Sequence, residues 1–325
     1  MSDILIRPAT QADAAILSEI ERKSPLVLGG ESFSIDRGDD YFAASRLMEE
    51  VTVLLAEVDG EPAGAFGGAL HRTVLGGVER SMLYYHHSRI LPRFQDHGVG
   101  RKLAAAIREH YAGRFDCSYW YISPANEHSL GFARAAPNKW TFGPALLSLD
   151  TVALSGPPAG RAATPADAPY LTELFNAAHR GEEMFKPYTV ESLTARLTRA
   201  PRHYAWDRVW TTGRAAVGVW PEGESIAVRF VGGDGSVRES RGGAVLDFGY
   251  LPGAEDELLS LLRAWCTWLA ARGMSQLSVF SSPGARHWSL LSKLAEPGYF
   301  WFWTTELPQP PDAEAHGLYV DHVYF

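Results

Sequence analysis

Cysteine is almost missing from this chain: there are two in 325 residues, Cys117 and Cys266. That excludes a disulfide framework and any cysteine-based metal spacing, and leaves two reduced core thiols as the expectation. Long apolar runs are missing as well. No stretch of about 18 apolar residues occurs, so no membrane-spanning helix is expected. The first residues, M-S-D-I-L-I-R, carry an acid inside their apolar patch, which argues against a secretory leader and for a cytoplasmic location. Positive charge is in deficit, with 30 Lys and Arg against 38 Asp and Glu, a net charge of −8. Such a chain offers no broad basic face to nucleic acid. Two phosphate-binding patterns are also lacking. No Gly-Lys-Ser/Thr follows a glycine loop, and no G-x-G-x-x-G directly follows a strand.

What is present is ordinary for a globular protein with a large core: 46% hydrophobic and 21% charged residues, at a length that favours two domains. The chain also repeats itself. Arg7 to Leu17 (R-P-A-T-Q-A-D-A-A-I-L) and Arg161 to Leu171 (R-A-A-T-P-A-D-A-P-Y-L) agree at seven of eleven positions at an offset of 154. In each, a threonine, Thr10 or Thr164, stands three residues before an aspartate, Asp13 or Asp167, as a helix cap requires. Leu103, Ile107 and Arg108 align with Leu258, Leu262 and Arg263 at offset 155, and S-L-G-F-A-R-A-A-P from Ser129 echoes S-L-L-S-K-L-A-E-P from Ser289 at offset 160. Three echoes in order imply two copies of one fold. The boundary is Ser155 to Gly160, S-G-P-P-A-G, a linker between domains at 1–154 and 161–325.

The segment Leu83 to Leu103 carries the chemistry. Tyr84, Tyr85, Ile90 and Leu91 suit a strand that Pro92 ends. A loop from Gln95 to Gly100 holds two glycines, and from Arg101 the apolar spacing Leu103, Ile107, Tyr111 is helical. A strand, a glycine loop and a helix N-terminus make an anion site, because the first-turn N–H groups and the helix dipole favour a phosphate. Between His86 and Lys102 four cations (Arg89, Arg93, Arg101, Lys102) face one acid, Asp96. This basic loop on an acidic protein suits a polyanionic small molecule.

The pattern I-L-P-x-x-Q-x-x-G-x-G-R resembles the pyrophosphate loop of the GNAT acyltransferase superfamily, whose signature is Q/R-x-x-G-x-G/A after a strand. The resemblance implies a fold class: α/β (α+β), two tandem GNAT-like domains, each a mixed, mostly antiparallel twisted sheet flanked by helices. It implies acetyl-CoA, or another acyl-CoA, as the cofactor, held by Gln95, Asp96, His97, Gly98, Val99, Gly100 and Arg101. The Ile90 N–H would meet the thioester carbonyl. Asn126 with Ser129 matches the family's N-x-x-A/S helix start beside the coenzyme A arm. The activity implied is N-acyl transfer to a small-molecule amine, without nucleic acid or membrane; a homodimer stays open. A coenzyme A-binding sensor and other acyl-thioester chemistry, such as decarboxylation, remain alternatives. One departure is clear. The tyrosine that usually follows the Asn by seven residues, as acid to the leaving thiolate, is Ala133 here, and neighbouring Phe132 cannot donate.

For the proton of the amine, the resemblance points to positions nine and eleven residues before Gln95, which are His86 and Tyr84. Strand alternation puts Tyr84, His86 and Ser88 on one face and Tyr85, His87 and Arg89 on the other. Histidine titrates near neutral pH, which suits a base. His87 and Glu79 are weaker candidates, and no metal ligands are assigned.

The remaining expectations are structural. Ala12–Lys23 reads as a helix, Pro25–Asp40 as a loop, Tyr41–Glu50 as a second helix, and Val51–Val58 with Ala63–His71 as a hairpin about Asp59-Gly60. Trp140–Leu149 reads as the closing strand of the first copy. In the second, Ala168–His179 and Thr189–Arg199 read as helices, Arg208–Val219 as a hairpin to which Ser225–Gly232 returns, and Ala244–Leu251 as the equivalent of the cofactor strand. Pro308–Pro311 reads as a loop and Gly317–Phe325 as a last strand. At offset 155, Gln95 becomes Tyr250 and Gly100 becomes Glu255. Val245–Leu262 holds four acids (Asp247, Glu255, Asp256, Glu257) and no Lys or Arg, so this copy is expected not to bind the cofactor.

Overall fold

In the computed structural model, residues 3–28, 31–38, 40–134, 139–305, 307 and 312–325 are described. The first half runs β1 (Ile4–Pro8), α1 (Ala14–Lys23), β2 (Leu26–Leu28), β3 (Glu31–Asp36), β4 (Glu50–Val58), β5 (Glu61–Leu75), β6 (Val78–Ile90), α2 (Val99–His110), β7 (Cys117–Ile122), α3 (Glu127–Arg134) and β8 (Lys139–Asp150). The second half runs β9 (Arg161–Ala162), α4 (Ala168–Ala178), α5 (Val190–Arg199), β10 (Val209–Thr211), β11 (Ala215–Trp220), β12 (Ala227–Val231), β13 (Val237–Ser240), β14 (Gly242–Tyr250), α6 (Glu255–Ala270), β15 (Gln276–Ser281), α7 (Trp288–Leu291) and β16 (Pro297–Thr304).

A mixed, mostly antiparallel 12-stranded sheet crosses the whole molecule in the order β1-β4-β5-β6-β7-β16-β8-β15-β14-β11-β10-β9. Period-two alternation decides how it is covered. On β4, Val53 and Leu55 face α1 with Leu17 and Ile20, while Leu54 and Ala56 face α2 with Leu103 and Ile107. On β11, Val217 and Val219 join the core under α6, and Ala216 and Trp220 join the core of α4 and α5. Strands covered on both faces are apolar along their whole length, as V-L-L-A of β4 and A-A-V-G-V-W of β11 are.

The repeated N-terminal motif builds the same cap twice. Thr10 and Asp13 form a capping box, as do Thr164 and Asp167. Arg7 pairs with Asp13 and Arg161 with Asp167, at 2.7 and 2.6 Å.

Several segments depart from the sequence reading. Pro25–Asp40 contains β2 and β3, and β3 pairs with β12 of the second half in a separate sheet of order β13-β12-β3-β2. The alternation S-F-S-I was legible there, but its partner lies far along the chain. The segment from Ser225 to Gly232 therefore does not return to its own hairpin; β12 pairs with β3, where Phe230 meets Phe33 at 6.0 Å between ring centroids. Tyr41–Glu50 is not a helix but a run of turns with one short 3-10 segment, Ser45–Leu47. Its apolar residues serve two cores: Tyr41 packs on the α1 side, and Ala43, Ala44, Leu47 and Met48 pack into the core shared with the second half. One helical stripe cannot face both ways. Gly317–Phe325 is not a strand; it makes a single bridge at Leu318 and a 3-10 turn, His322–Tyr324, tied down by Arg196 pairing with Asp321 at 2.7 Å. The strand that completes the sheet is β16, which inserts between β7 and β8. Pro308–Pro311, the end of the Ser129 echo (135–137) and the Phe132 side chain lie outside the described residues.

Candidate functional site

β6 and β7 pair in parallel only from Met82 with Cys117 to Tyr84 with Tyr119. Beyond Tyr84 the β7-facing edge of β6 has no strand partner among the described residues, and β7 continues against β16. The second half of β6 therefore carries its residues along an open edge toward the loop that follows.

That loop is Leu91–Gly98, with a 3-10 turn at Pro92–Phe94. The Gln95 side chain folds back and donates to the Ile90 carbonyl at 3.1 Å, which fixes the loop's exit from the strand. Asp96 and Gly98 both have positive φ, 66° and 76°. Gln95, Asp96, His97 and Gly98 are exposed, Val99 is buried, and Arg101 is exposed on the first turn of α2. Gly98 is the N-cap and supplies no side-chain acceptor, so the first-turn N–H groups point out of the helix uncapped.

The two glycines differ in kind. Gly98 is required by its own left-handed backbone. Gly100 is helical, and a Cβ there would meet only the Ile90 side chain at 3.6 and 3.8 Å, an ordinary contact. Gly100 is half-buried, and nothing among the described residues demands glycine there.

On β6, Ala65 pairs with Arg89 and Gly67 with His86, so Phe66 opposes two residues, His87 and Ser88. This bulge puts His87 at φ 51° and breaks the alternation. His86 and His87, expected on opposite faces, meet through their Nδ1 atoms with ring centroids 4.5 Å apart. The His86 ring lies flat over Gly67, where a Cβ would come within 2.3 to 2.6 Å of its atoms. It stacks on Tyr84 at 5.4 Å, and its Nε2 has no hydrogen-bond partner among the described residues. Burial, helped by the Arg37 charge, brings the His86 pKa down to about 3. The neutral-range titration expected of a strand histidine is thus absent, and His86 is an uncharged acceptor.

Tyr84 stacks on Tyr119 at 5.1 Å and donates to a main-chain oxygen of Phe325 at 3.1 Å; burial raises its pKa. Around this pair the fold adds residues that the sequence reading missed. The buried ion pair Arg37–Glu21 (2.6 Å) lies under Tyr41, whose ring is 5.8 Å from that of His87, and Glu222 of the second half is pushed up to about 7 by burial. No local signal marked Arg37, because its neighbours read as a loop. Glu79 is placed elsewhere: it pairs with Arg72 at 2.7 Å at the far end of β6, about 20 Å of strand from His86. Asn126 accepts from the Ser129 N–H at 3.1 Å and so caps the start of α3. Ala133 is fully buried in a cluster with Ile122, Leu130 and Trp303, which closes the usual position of the acid.

The second half differs at the matching place. Four residues, Leu251–Ala254, join β14 to α6, against eight, Leu91–Gly98, between β6 and α2. Gly253 keeps a positive φ of 75°, but Tyr250 ends the strand, so no residue corresponds to Gln95. Of the four acids, Asp247 is buried against Arg196 at 2.9 Å and Glu257 pairs with Arg214 at 3.0 Å; Glu255 and Asp256 open the helix.

If His86 acts on the acceptor, crowding it should cost activity. Gly67→Ala is expected to lower turnover on the order of 10²-fold, the scale of acid–base help, at a stability cost of about 1–3 kcal/mol. Steady-state kinetics beside thermal melting checks this; unchanged turnover in a folded variant removes His86 from the site.

Residues 16–136 match the family model described as Acetyltransferase (GNAT) family. No curated protein matches by sequence. Among solved structures, a Saccharomyces cerevisiae N-myristoyltransferase with bound myristoyl-CoA and inhibitors is similar over 98% of this chain and 87% of its own, at 9% identity and a TM-score of 0.66. A GCN5-related N-acetyltransferase from Kribbella flavida is similar over 93% of this chain and 71% of its own, at 16% identity and a TM-score of 0.50. A GCN5-related glucosamine N-acetyltransferase region of a fungal multi-domain GH3 beta-N-acetylglucosaminidase covers 94% of this chain with 38% of its own, at 11% identity and a TM-score of 0.60. At these identities the likeness is one of fold.

Proposed function

From the premise that residues 16–136 form a GNAT acetyltransferase domain, we propose that the protein is an acyl-CoA-dependent N-acyltransferase, with acetyl-CoA as donor and a small-molecule amine as acceptor. The observation that carries this is Gly100. It is a glycine with ordinary backbone and room for a Cβ, at the uncapped start of a helix whose first turn also bears Arg101 and Lys102. Backbone left bare at a helix N-terminus suits a pyrophosphate. The residues that would hold it are Gln95, Asp96, His97, Gly98, Val99, Gly100 and Arg101, with the Ile90 N–H toward the thioester carbonyl and Asn126 and Ser129 beside the coenzyme A arm. We assign this role to residues 1–154, with 155–160 as linker and 161–325 as a partner that does not bind the cofactor.

The donor supplies an activated acyl carbonyl. The protein must receive one proton as the acceptor nitrogen bonds to the acyl carbon and the carbon–sulfur bond breaks. Once bonded to the acyl carbon, that nitrogen is far more acidic than the free ammonium ion, so a weak base can take its proton, which passes on to the departing thiolate. The unpartnered Nε2 of neutral His86 fits that need, and Tyr84, stacked on it, is the second candidate. Its low pKa makes His86 a relay and not a resting place for the proton.

His86→Ala is therefore expected to lower kcat on the order of 10²-fold with little change in the KM for acyl-CoA. Because burial holds the His86 pKa near 3, its loss should drop the whole pH–rate plateau without moving a limb between about pH 5 and 9. Initial rates across that range check both points. A limb that disappears would instead assign His86 an ordinary titration in that range.

A second reading, a coenzyme A-binding sensor without transfer, draws on one observation: the buried Ala133 where an acid would stand. Thiol release with an amine library separates the two. Release that depends on an amine supports the transferase; binding with no release under any amine supports the sensor.

A further inference from the structure

A second cluster of reactive side chains lies in the other half. β14 and β15 pair in parallel only from Gly242 with Gln276 to Ala244 with Ser278. Past that point come Phe248 on β14 and, after the end of β15, His287 at the start of α7. From the other side, His179 caps the C-terminus of α4, and Glu182 follows one turn later. His179, Glu182 and His287 are 2%, 6% and 1% exposed.

Their hydrogen bonds determine which atoms are available. His179 Nε2 lies 3.1 Å from the Phe248 carbonyl oxygen. A carbonyl only accepts, so Nε2 carries the hydrogen, and in the neutral ring Nδ1 holds a lone pair. That Nδ1 lies 3.3 Å from both Glu182 carboxylate oxygens. His287 Nδ1 lies 3.6 Å from Glu182 Oε1 and is a buried nitrogen without a hydrogen-bond partner. Arg286 donates to the Ala177 carbonyl at 3.0 Å and lies over the Tyr250 ring. The walls are aromatic: Phe248 meets both histidines edge-on at 4.7 Å, and Tyr319 and Phe185 flank His179.

Imidazole nitrogens and a carboxylate facing one another in an apolar setting need a proton or a metal ion between them. The three ligand atoms lie within 4.8 Å of one another. Bonds of about 2.0–2.2 Å to a tetrahedral zinc place neighbouring ligand atoms about 3.3–3.6 Å apart, which the two histidine–carboxylate separations, 3.3 and 3.6 Å, already meet. The Phe248 carbonyl acts as the outer partner that fixes a ligating histidine's tautomer. We propose that His179, Glu182 and His287 bind one divalent transition-metal ion of the zinc class, tying α4 to the turn after β15. In the first half the unpaired edge of β6 leads to the cofactor loop; in the second the matching region is filled by this triad. The sequence reading assigned no metal ligands, because 105 residues separate Glu182 from His287.

The test uses the full chain, stripped with a chelator and then titrated with Zn²⁺ and with Co²⁺. The expected result is one equivalent bound, with Kd below about 1 μM and a melting temperature raised by Zn²⁺ but not by Mg²⁺. Bound Co²⁺ should show visible d–d bands of a four- or five-coordinate site. Glu182→Gln and His287→Ala, each shown folded by circular dichroism, should weaken binding by about 100-fold or more. Should a variant fail to fold, the wild-type Co²⁺ spectrum and the Zn²⁺ melting shift decide. No stoichiometric binding, or binding that both folded variants retain, overturns the proposal and leaves the cluster as an imidazolium–carboxylate pair.

Discussion

Gly100→Glu is expected to abolish coenzyme A binding and leave the protein folded. The change imitates the second half, where Glu255 stands at the corresponding start of α6. Folding should survive because Gly100 has helical backbone and its Cβ would meet only Ile90, at ordinary distance. Binding should not survive, for two reasons that add. The side chain fills the approach to the first-turn N–H groups, and its carboxylate faces a pyrophosphate. Like charges brought together cost several kcal/mol, and about 1.4 kcal/mol is a factor of ten in affinity, so a loss on the order of 10²-fold or more follows. Calorimetry with coenzyme A, beside a melting curve, gives the answer. Unchanged affinity would take the cofactor out of this loop. Gly100→Ala separates the two causes, since it adds bulk without charge and should cost less.

Features that depend on neighbours in sequence were legible. The threonine–aspartate caps, the hairpin at Asp59-Gly60, the helix after Gly98 and its face of Leu103 and Ile107 all follow from local spacing, and all appear in the fold. So does the glycine turn between β6 and α2, exposed from Gln95 to Gly98. What was not legible depends on residues far apart. The pairing of Phe33 with Phe230 joins positions 197 apart, and no periodicity announces it. The bulge that turns His87 against His86 depends on an extra residue opposite Phe66, which a strict alternation cannot reveal. The depressed pKa of His86 also depends on distant positions, through burial and the charge of Arg37 just after β3. Constant-offset alignment also misled at Tyr250, because the shorter loop of the second half shifts the strand relative to the helix.

The last prediction concerns stoichiometry and separability. One coenzyme A should bind per chain, because the second half has a four-residue link in place of the eight-residue loop, with no counterpart of Gln95 and with acids on the first turn of α6. Yet the first half should not work alone. β16 lies between β7 and β8, pairing Trp303 with Trp120 on one side and Trp140 on the other, so a chain ending near Ser155 loses the strand that joins its own last two. It would also expose Met82, Tyr84 and Tyr119, which share a core with Leu171, Phe175 and Tyr204. Leaving two strand edges and that apolar surface open favours aggregation. Expression of residues 1–155 is therefore expected to give insoluble protein or soluble protein without turnover, while the full chain titrates with one equivalent of coenzyme A. Two equivalents in the full chain would assign a cofactor site to the second half as well. A soluble fragment with full activity would show that β16 adds nothing the first half needs.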